Sequence, residues 1–121
     1  MATSGVGIDL IEIARIERAL ERHPRLAGRL FTDAEIEYSA ARGRPGRHLA
    51  ARFAAKEAAI KAMGLSPGFR LNDIEVVAGE PPELRFHRDV AADAKERGLS
   101  VKVSLTHDRE TAGAVAIAEV D

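Results

Sequence analysis

Apolar residues at Leu10, Ile13, Ile16 and Leu20 recur at spacings of three and four, a helical period that starts just after Asp9. Ahead of it, Val6-Gly7-Ile8 reads as a short strand. Pro24 ends or kinks the helix. Phe31-Thr32-Asp33-Ala34-Glu35 has the form of a second helix start, with Thr32 as cap and Glu35 three residues on as in a capping box. That helix should fade at the Gly43-Arg44-Pro45-Gly46 turn. A long Ala-rich helix is predicted from Arg47 to Met63, closed by Gly64 with Pro67 beyond.

The second half alternates more often. Asp73 to Val77 and Leu84 to His87 read as strands around the turn Gly79-Glu80-Pro81-Pro82. Asp89 to Arg97 reads as a short helix followed by Gly98. Val101, Val103 and Leu105 alternate with Lys102, Ser104 and Thr106, the period of a strand. Asp108-Arg109-Glu110 makes a hairpin loop, and Ala112 to Val120 returns. The expectation is an α+β fold over residues 1–121 as one domain. A small, mainly antiparallel sheet is packed with one long and two or three shorter helices.

Composition narrows the classes. Aromatics are 4% of the chain against 45% hydrophobic residues, so the core is aliphatic and rich in alanine. Eighteen basic and 19 acidic side chains give a formal charge of -1, which argues against bulk attraction to nucleic acid or anionic membrane. With no cysteine, disulfides, thiolate catalysis and Cys-ligated zinc are excluded. No apolar run approaches the ~20 residues of a membrane span, and the first residues lack the pattern of a signal peptide. A cytoplasmic location is expected.

The candidate chemistry lies in four places. The run Arg52-Phe53-Ala54-Ala55-Lys56-Glu57-Ala58-Ala59-Ile60-Lys61 sets charges into a helix that other elements can approach closely. Arg52 and Lys56 are helical neighbours, as are Glu57 and Lys61. A carboxylate beside several cations suits a metal-bound polyphosphate, although Glu57 and Lys61 are equally an ordinary i,i+4 pair. Asp9 can offer oxygen to a hard cation such as Mg²⁺, or can simply cap the helix after it, with Glu12 completing a capping box. By strand parity His107 shares the face of Val101, Val103 and Leu105, and is either a core histidine or a phosphate ligand at a strand end. His23, His48 and His87 read as surface residues. Arg15, Arg18 and Arg22 share one helical face, with Arg25 and Arg29 following; this is a solvated stripe or a docking surface for an acidic partner.

These pieces resemble one family. Gly7-Ile8-Asp9 with Arg15-Ile16, Phe31-Thr32 with Glu35, the Arg52-to-Ala58 run with Lys61-Ala62 and Gly64, Asp73-Ile74-Glu75-Val76, and Ser104-Leu105-Thr106-His107 occur in the order found in holo-[acyl-carrier-protein] synthases. These are the small single-domain 4′-phosphopantetheinyl transferases. The resemblance implies transfer of the phosphopantetheine arm of coenzyme A to a serine of apo acyl carrier protein, with adenosine 3′,5′-bisphosphate released. It implies Asp9 and Glu57 as Mg²⁺ ligands on the pyrophosphate and Lys61 at a phosphate oxygen. Arg52, His107 and Arg44 would lie near the 3′-phosphate, with Gly64 beside the bound coenzyme and Arg15, Arg18 and Arg22 on the carrier. It also implies a homotrimer with active sites at subunit interfaces. The family commonly has Gly-Lys-Pro where this chain has Gly79-Glu80-Pro81-Pro82, so the contact expected of that lysine is missing. The alternative from another class is a non-catalytic regulator that binds coenzyme A or a nucleotide on the same scaffold.

Overall fold

Five strands and five α-helices follow one another in a computed structural model that describes residues 1–121. Strand β1 (Ala2–Glu12) leads into α1 (Ile13–Arg22), α2 (Leu26–Leu30), α3 (Asp33–Ala40) and the long α4 (Pro45–Met63). A 3₁₀ turn at Leu71–Asp73 precedes β2 (Ile74–Val77) and β3 (Glu83–Phe86), followed by α5 (Arg88–Arg97), β4 (Leu99–His107) and β5 (Thr111–Val120). The α+β class is as expected, with α2 as an additional short helix. The strands form two antiparallel sheets instead of one: a three-stranded sheet ordered β1-β5-β4 and a hairpin of β2 and β3.

The largest departure from expectation is β1. It runs to Glu12, so Asp9 lies inside a strand and the capping-box reading of Asp9 with Glu12 is wrong. Glu12 itself occupies the N-cap position of α1 and makes no side-chain capping bond. The first helical N–H, that of Ile13, instead donates to the Glu110 carbonyl at 2.8 Å. The helical spacing of Leu10 with Ile13 is coincidental, because Leu10 belongs to the strand period of Val6 and Ile8.

The other local signals hold. Thr32 accepts from the Glu35 N–H and the Glu35 carboxylate accepts from the Thr32 N–H, a complete capping box at α3. Gly64 and Gly98 end α4 and α5 with φ of +64°, where a residue with a side chain would be strained.

Helix α4 lies across the inner face of the three-stranded sheet, and small residues set how closely. Ala114, Ala116 and Ala118 of β5 are buried against Ala54, Ala55, Ala58, Ala59 and Ala62 of α4. Residues paired in register share a face, so Gly5, Gly7 and Asp9 look inward with Ala118, Ala116 and Ala114. A Cβ on Gly5 or Gly7 would overlap the carbonyl oxygen of Ala62 or Ala58. Both glycines are therefore what lets β1 press onto the helix.

The outer face of the same sheet carries Val6, Ile8, Leu10, Val115 and Ile117, all exposed, with Ile8 at 64% and Leu10 at 70%. A second core of Ile13, Ile16, Phe31, Leu49, Ala50, Ala51 and Ala112 joins α1 and α4. No helix is long and apolar enough to cross a membrane.

Candidate active site

The charges of α4 divide by face. Arg52 and Glu57 are five residues apart, which turns them roughly 140° from each other around the helix. Glu57 and Lys61 face β1; Arg52 and Lys56 face α3.

On the β1 side, the Lys61 ammonium donates to the Ile8 carbonyl at 2.9 Å and lies 3.4 Å from Asp9 Oδ1. Burial pushes the Glu57 carboxyl up, the Asp9 charge pushes it further, and Lys61 partly opposes both. Two carboxylates are thus held close enough to raise one of them, with Lys61 paired to Asp9. No cluster of three or more His, Cys, Asp or Glu side chains is present. A pair of oxygen ligands that leaves room for waters and phosphate oxygens fits Mg²⁺, which keeps much of its hydration. Gly7 is the structural cause of this arrangement, because its lack of a side chain brings Asp9, two residues on along the same face, down to Glu57.

Lys56 does not join the site. Its side chain is wholly buried and its three donors are satisfied by Glu35 Oε1 at 2.6 Å, the Leu30 carbonyl at 2.8 Å and the Leu71 carbonyl at 3.2 Å. Burial pushes the Lys56 amine down, against the raising effect of Glu35. Glu35 also accepts from the Thr32 and Val76 N–H groups, so the pair pins α3, α4 and β2 together. Beside it Glu75 accepts from Thr32 Oγ1 and from His87 Nε2, each at 2.9 Å. Burial raises the Glu75 carboxyl, but the bonds from His87 and Thr32 outweigh it and leave a net lowering. His87 is thus tied into this network and is not a free surface group.

On the α3 side, Arg52 is buried, and burial holds its guanidinium below the usual range. Its Cζ sits 4.1 Å from the centroid of the Tyr38 ring, and Arg42 stacks on the same ring at 3.4 Å. His48 lies edge-on to Tyr38 at 6.0 Å, and His107 lies edge-on to His48 at 6.1 Å. His107 keeps the parity expected of it but is exposed at the strand end, so it is not a core histidine. Burial, then Arg47, Arg52, His107 and Arg42, all lower the pKa of His48. The Nε atoms of Arg47 and Arg52 are buried without a partner, and none of these cations takes part in an ion pair. Tyr38, Arg42 and Arg47 are not singled out by the sequence, and His48, read there as a surface residue, is half-buried between Tyr38 and His107. The available signal was spacing: Arg42 is four residues after Tyr38, and His48 is four before Arg52.

The remaining candidates are dispersed. Arg44 has φ +51° and is bound to Glu17, with Nη2 at 3.1 Å from Oε1, and to the Arg109 carbonyl at 2.6 Å. Glu17 of α1 is therefore a fixed partner of Arg44. Gly64 caps α4 and lines a cavity of about 390 Å³ with Ser4, Val6, Lys61 and Arg97. Arg15, Arg18 and Arg22 are exposed along α1. Helix α2 turns Arg25 and Arg29 back beside Arg22 in a cleft of about 570 Å³, so the stripe continues past Pro24.

An edge strand with an inward Asp, an Ala-rich helix with Glu and Lys on one face, and a cluster of unpaired cations on another suit a polyphosphate-handling enzyme. Residues 5–116 match the 4′-phosphopantetheinyl transferase superfamily, and the chain belongs to that family. Its relatives narrow the class. The chain is 50% identical over 122 residues to a holo-[acyl-carrier-protein] synthase of Streptomyces coelicolor, covering 98% of this chain and 99% of that one. It is 49% identical over 117 residues to one from Moorella thermoacetica, covering 93% and 91%. Among solved structures, a Chronobacterium ammoniagenes ACPS–CoA complex superposes with a TM-score of 0.88 at 28% identity, covering 100% of this chain and 99% of that one.

Proposed function

We propose that this chain is a Mg²⁺-dependent holo-[acyl-carrier-protein] synthase. It moves 4′-phosphopantetheine from coenzyme A to a serine hydroxyl of apo acyl carrier protein and releases adenosine 3′,5′-bisphosphate. The observation that carries the reading is the Asp9–Glu57–Lys61 group, two carboxylates and a lysine fixed by the approach of β1 to α4. Bound there, Mg²⁺ would neutralise pyrophosphate charge so that a serine oxygen can attack the β-phosphorus. Asp9 and Glu57 would hold it, and Lys61 would reach a phosphate oxygen and offset charge on the leaving group. The carrier supplies the nucleophile, so no serine of this chain is needed.

The cations at Arg52 and His107 suit the 3′-phosphate of coenzyme A. Arg52 lies on a different face of α4 from Glu57, and His107 approaches from the end of β4 through His48, so one chain offers two half-sites. We infer that copies of the chain meet through the exposed apolar face of Val6, Ile8, Leu10, Val115 and Ile117, as a homotrimer, and that each active site takes its carboxylates from one copy and its phosphate-binding cations from the next. Such a face is larger and more continuous than scattered surface leucines and is costly to leave in water. The arginines of α1 receive the acidic face of the carrier protein. Residues 1–121 act as one domain, in the cytoplasm where coenzyme A and carrier protein occur.

The test is to incubate the protein with Mg²⁺, coenzyme A and an apo carrier and to weigh the carrier. A gain of one phosphopantetheine, lost with Asp9→Ala or Glu57→Ala, is expected. A carrier left unmodified by wild-type protein that still binds coenzyme A would identify a non-catalytic binding protein instead.

A further inference from the structure

Arg42 and Arg52 come from different helices, carry like charge, and rest on one aromatic ring. Arg42 follows the end of α3 and donates from Nη1 to the Tyr38 carbonyl at 2.7 Å, which folds it back over Tyr38. Arg52 comes from α4, and its hydrogen bond to the His48 carbonyl is 3.5 Å long and at the limit of a bond. Neither guanidinium meets a carboxylate. Two arginines repel unless something offsets their charge. The Tyr38 ring is in contact with both, its two π faces each negative, and stacking there leaves the planar N–H edges of a guanidinium free to donate.

We propose that Tyr38 is a positioning residue that gathers Arg42 and Arg52 into one clamp for a phosphate monoester. It rests on the function proposed above, in which that monoester is the 3′-phosphate of coenzyme A and of the released bisphosphate. Arg42 then becomes a second cation for the group. The buried, unpartnered Nε of Arg52 marks where a donor still lacks its acceptor. Besides the long bond to the His48 carbonyl, the ring is what fixes the Arg52 guanidinium.

The experiment is calorimetric binding of adenosine 3′,5′-bisphosphate and of 5′-AMP to the intact protein. Tyr38→Leu should weaken the bisphosphate about tenfold, the scale of a cation–π contact shielded from water, and leave 5′-AMP unchanged. Tyr38→Phe keeps the ring face and should bind both as wild type does. Arg42→Gln, at an exposed position, should weaken the bisphosphate alone by about two- to fivefold and covers the case in which Tyr38→Leu does not fold. The proposal is overturned if Arg42→Gln and Tyr38→Leu leave the bisphosphate unaffected, if both ligands weaken equally, if Phe behaves as Leu, or if wild-type protein does not prefer the bisphosphate over 5′-AMP. Ring-dependent bisphosphate binding without transfer to any carrier would refute the proposed function and leave the positioning role standing.

Discussion

Replacing Gly7 by alanine adds one methyl group, yet it should disable the enzyme. The new Cβ would overlap the Ala58 carbonyl oxygen and come within 2.9 Å of Ala58 C and Ala62 N, all of them backbone atoms of α4 that no side-chain rotation can move aside. Restoring carbon contacts to ~3.5–4.0 Å requires β1 to back away from α4 on the order of 1 Å. Overpacking of this kind costs about 1–3 kcal/mol, a loss that a domain with ~5–15 kcal/mol of stability survives folded. Activity should suffer more, because Asp9 is two residues away on the same face and moves with the strand. A displacement near 1 Å in a catalytic group costs about 100-fold in rate. The assay is transfer to apo carrier at saturating coenzyme A, with thermal unfolding measured alongside. Gly28→Ala is the control: Gly28 lies in α2 with no atom within 4 Å of an added Cβ, so the same substitution should be neutral or stabilise by about 0.5–1 kcal/mol. Wild-type turnover in folded Gly7→Ala would refute the claim that the strand–helix approach sets the metal site.

Glu57→Gln should abolish transfer while raising the melting temperature at neutral pH. The folded state raises the Glu57 pKa, so it holds that proton more tightly than the unfolded chain does, and ionised Glu57 costs stability above its folded pKa. The gain should disappear as the pH falls below the ordinary glutamate range, where both states are protonated; a gain independent of pH would contradict this. Lys56→Met should destabilise by about 3–5 kcal/mol, since it strands the Glu35 carboxylate in a dry site, and chemical denaturation reads it directly. Arg15→Glu should raise the KM for carrier and leave that for coenzyme A unchanged, and the wild-type KM for carrier should rise with salt because exposed pairs are screened over ~8–10 Å; a salt-independent KM would make the stripe a solvated face only.

Sequence carried the local features well and the partnerships poorly. The capping box at Thr32 and the glycine stops at Gly64 and Gly98 are short-range chemistry, and each occurs where expected. β1 is recognised at Val6-Gly7-Ile8 but reads too short, because its alternation is inverted: Val6, Ile8 and Leu10 point outward, while the inward positions are Gly5, Gly7 and Asp9, which give no hydrophobic signal. The full extent of a strand with an apolar outer face and a glycine inner face is not legible until the helix beneath it is known. The single sheet became two because pairing partners are not encoded in period. Asp9, Glu57 and Lys61 were legible through resemblance, and the structure brings them together. Lys56 has the same charge and nearly the same setting, and only packing shows that it faces Glu35 instead. Tyr38 went unnoticed because an aromatic on a short helix has no distinctive pattern until two arginines from different elements stack on it.

The proposed transferase site is divided between two copies of the chain. The direct measurement is the mass of apo carrier protein after incubation with coenzyme A, Mg²⁺ and a mixture of Glu57→Gln and Arg52→Met proteins, unfolded and refolded together, at coenzyme A well below the KM of the arginine variant. Each variant alone should leave the carrier nearly unmodified. The mixture should add phosphopantetheine, because some interfaces pair an intact Glu57 with an intact Arg52. A mixture no more active than its components, beside an active wild type refolded the same way, would contradict the account.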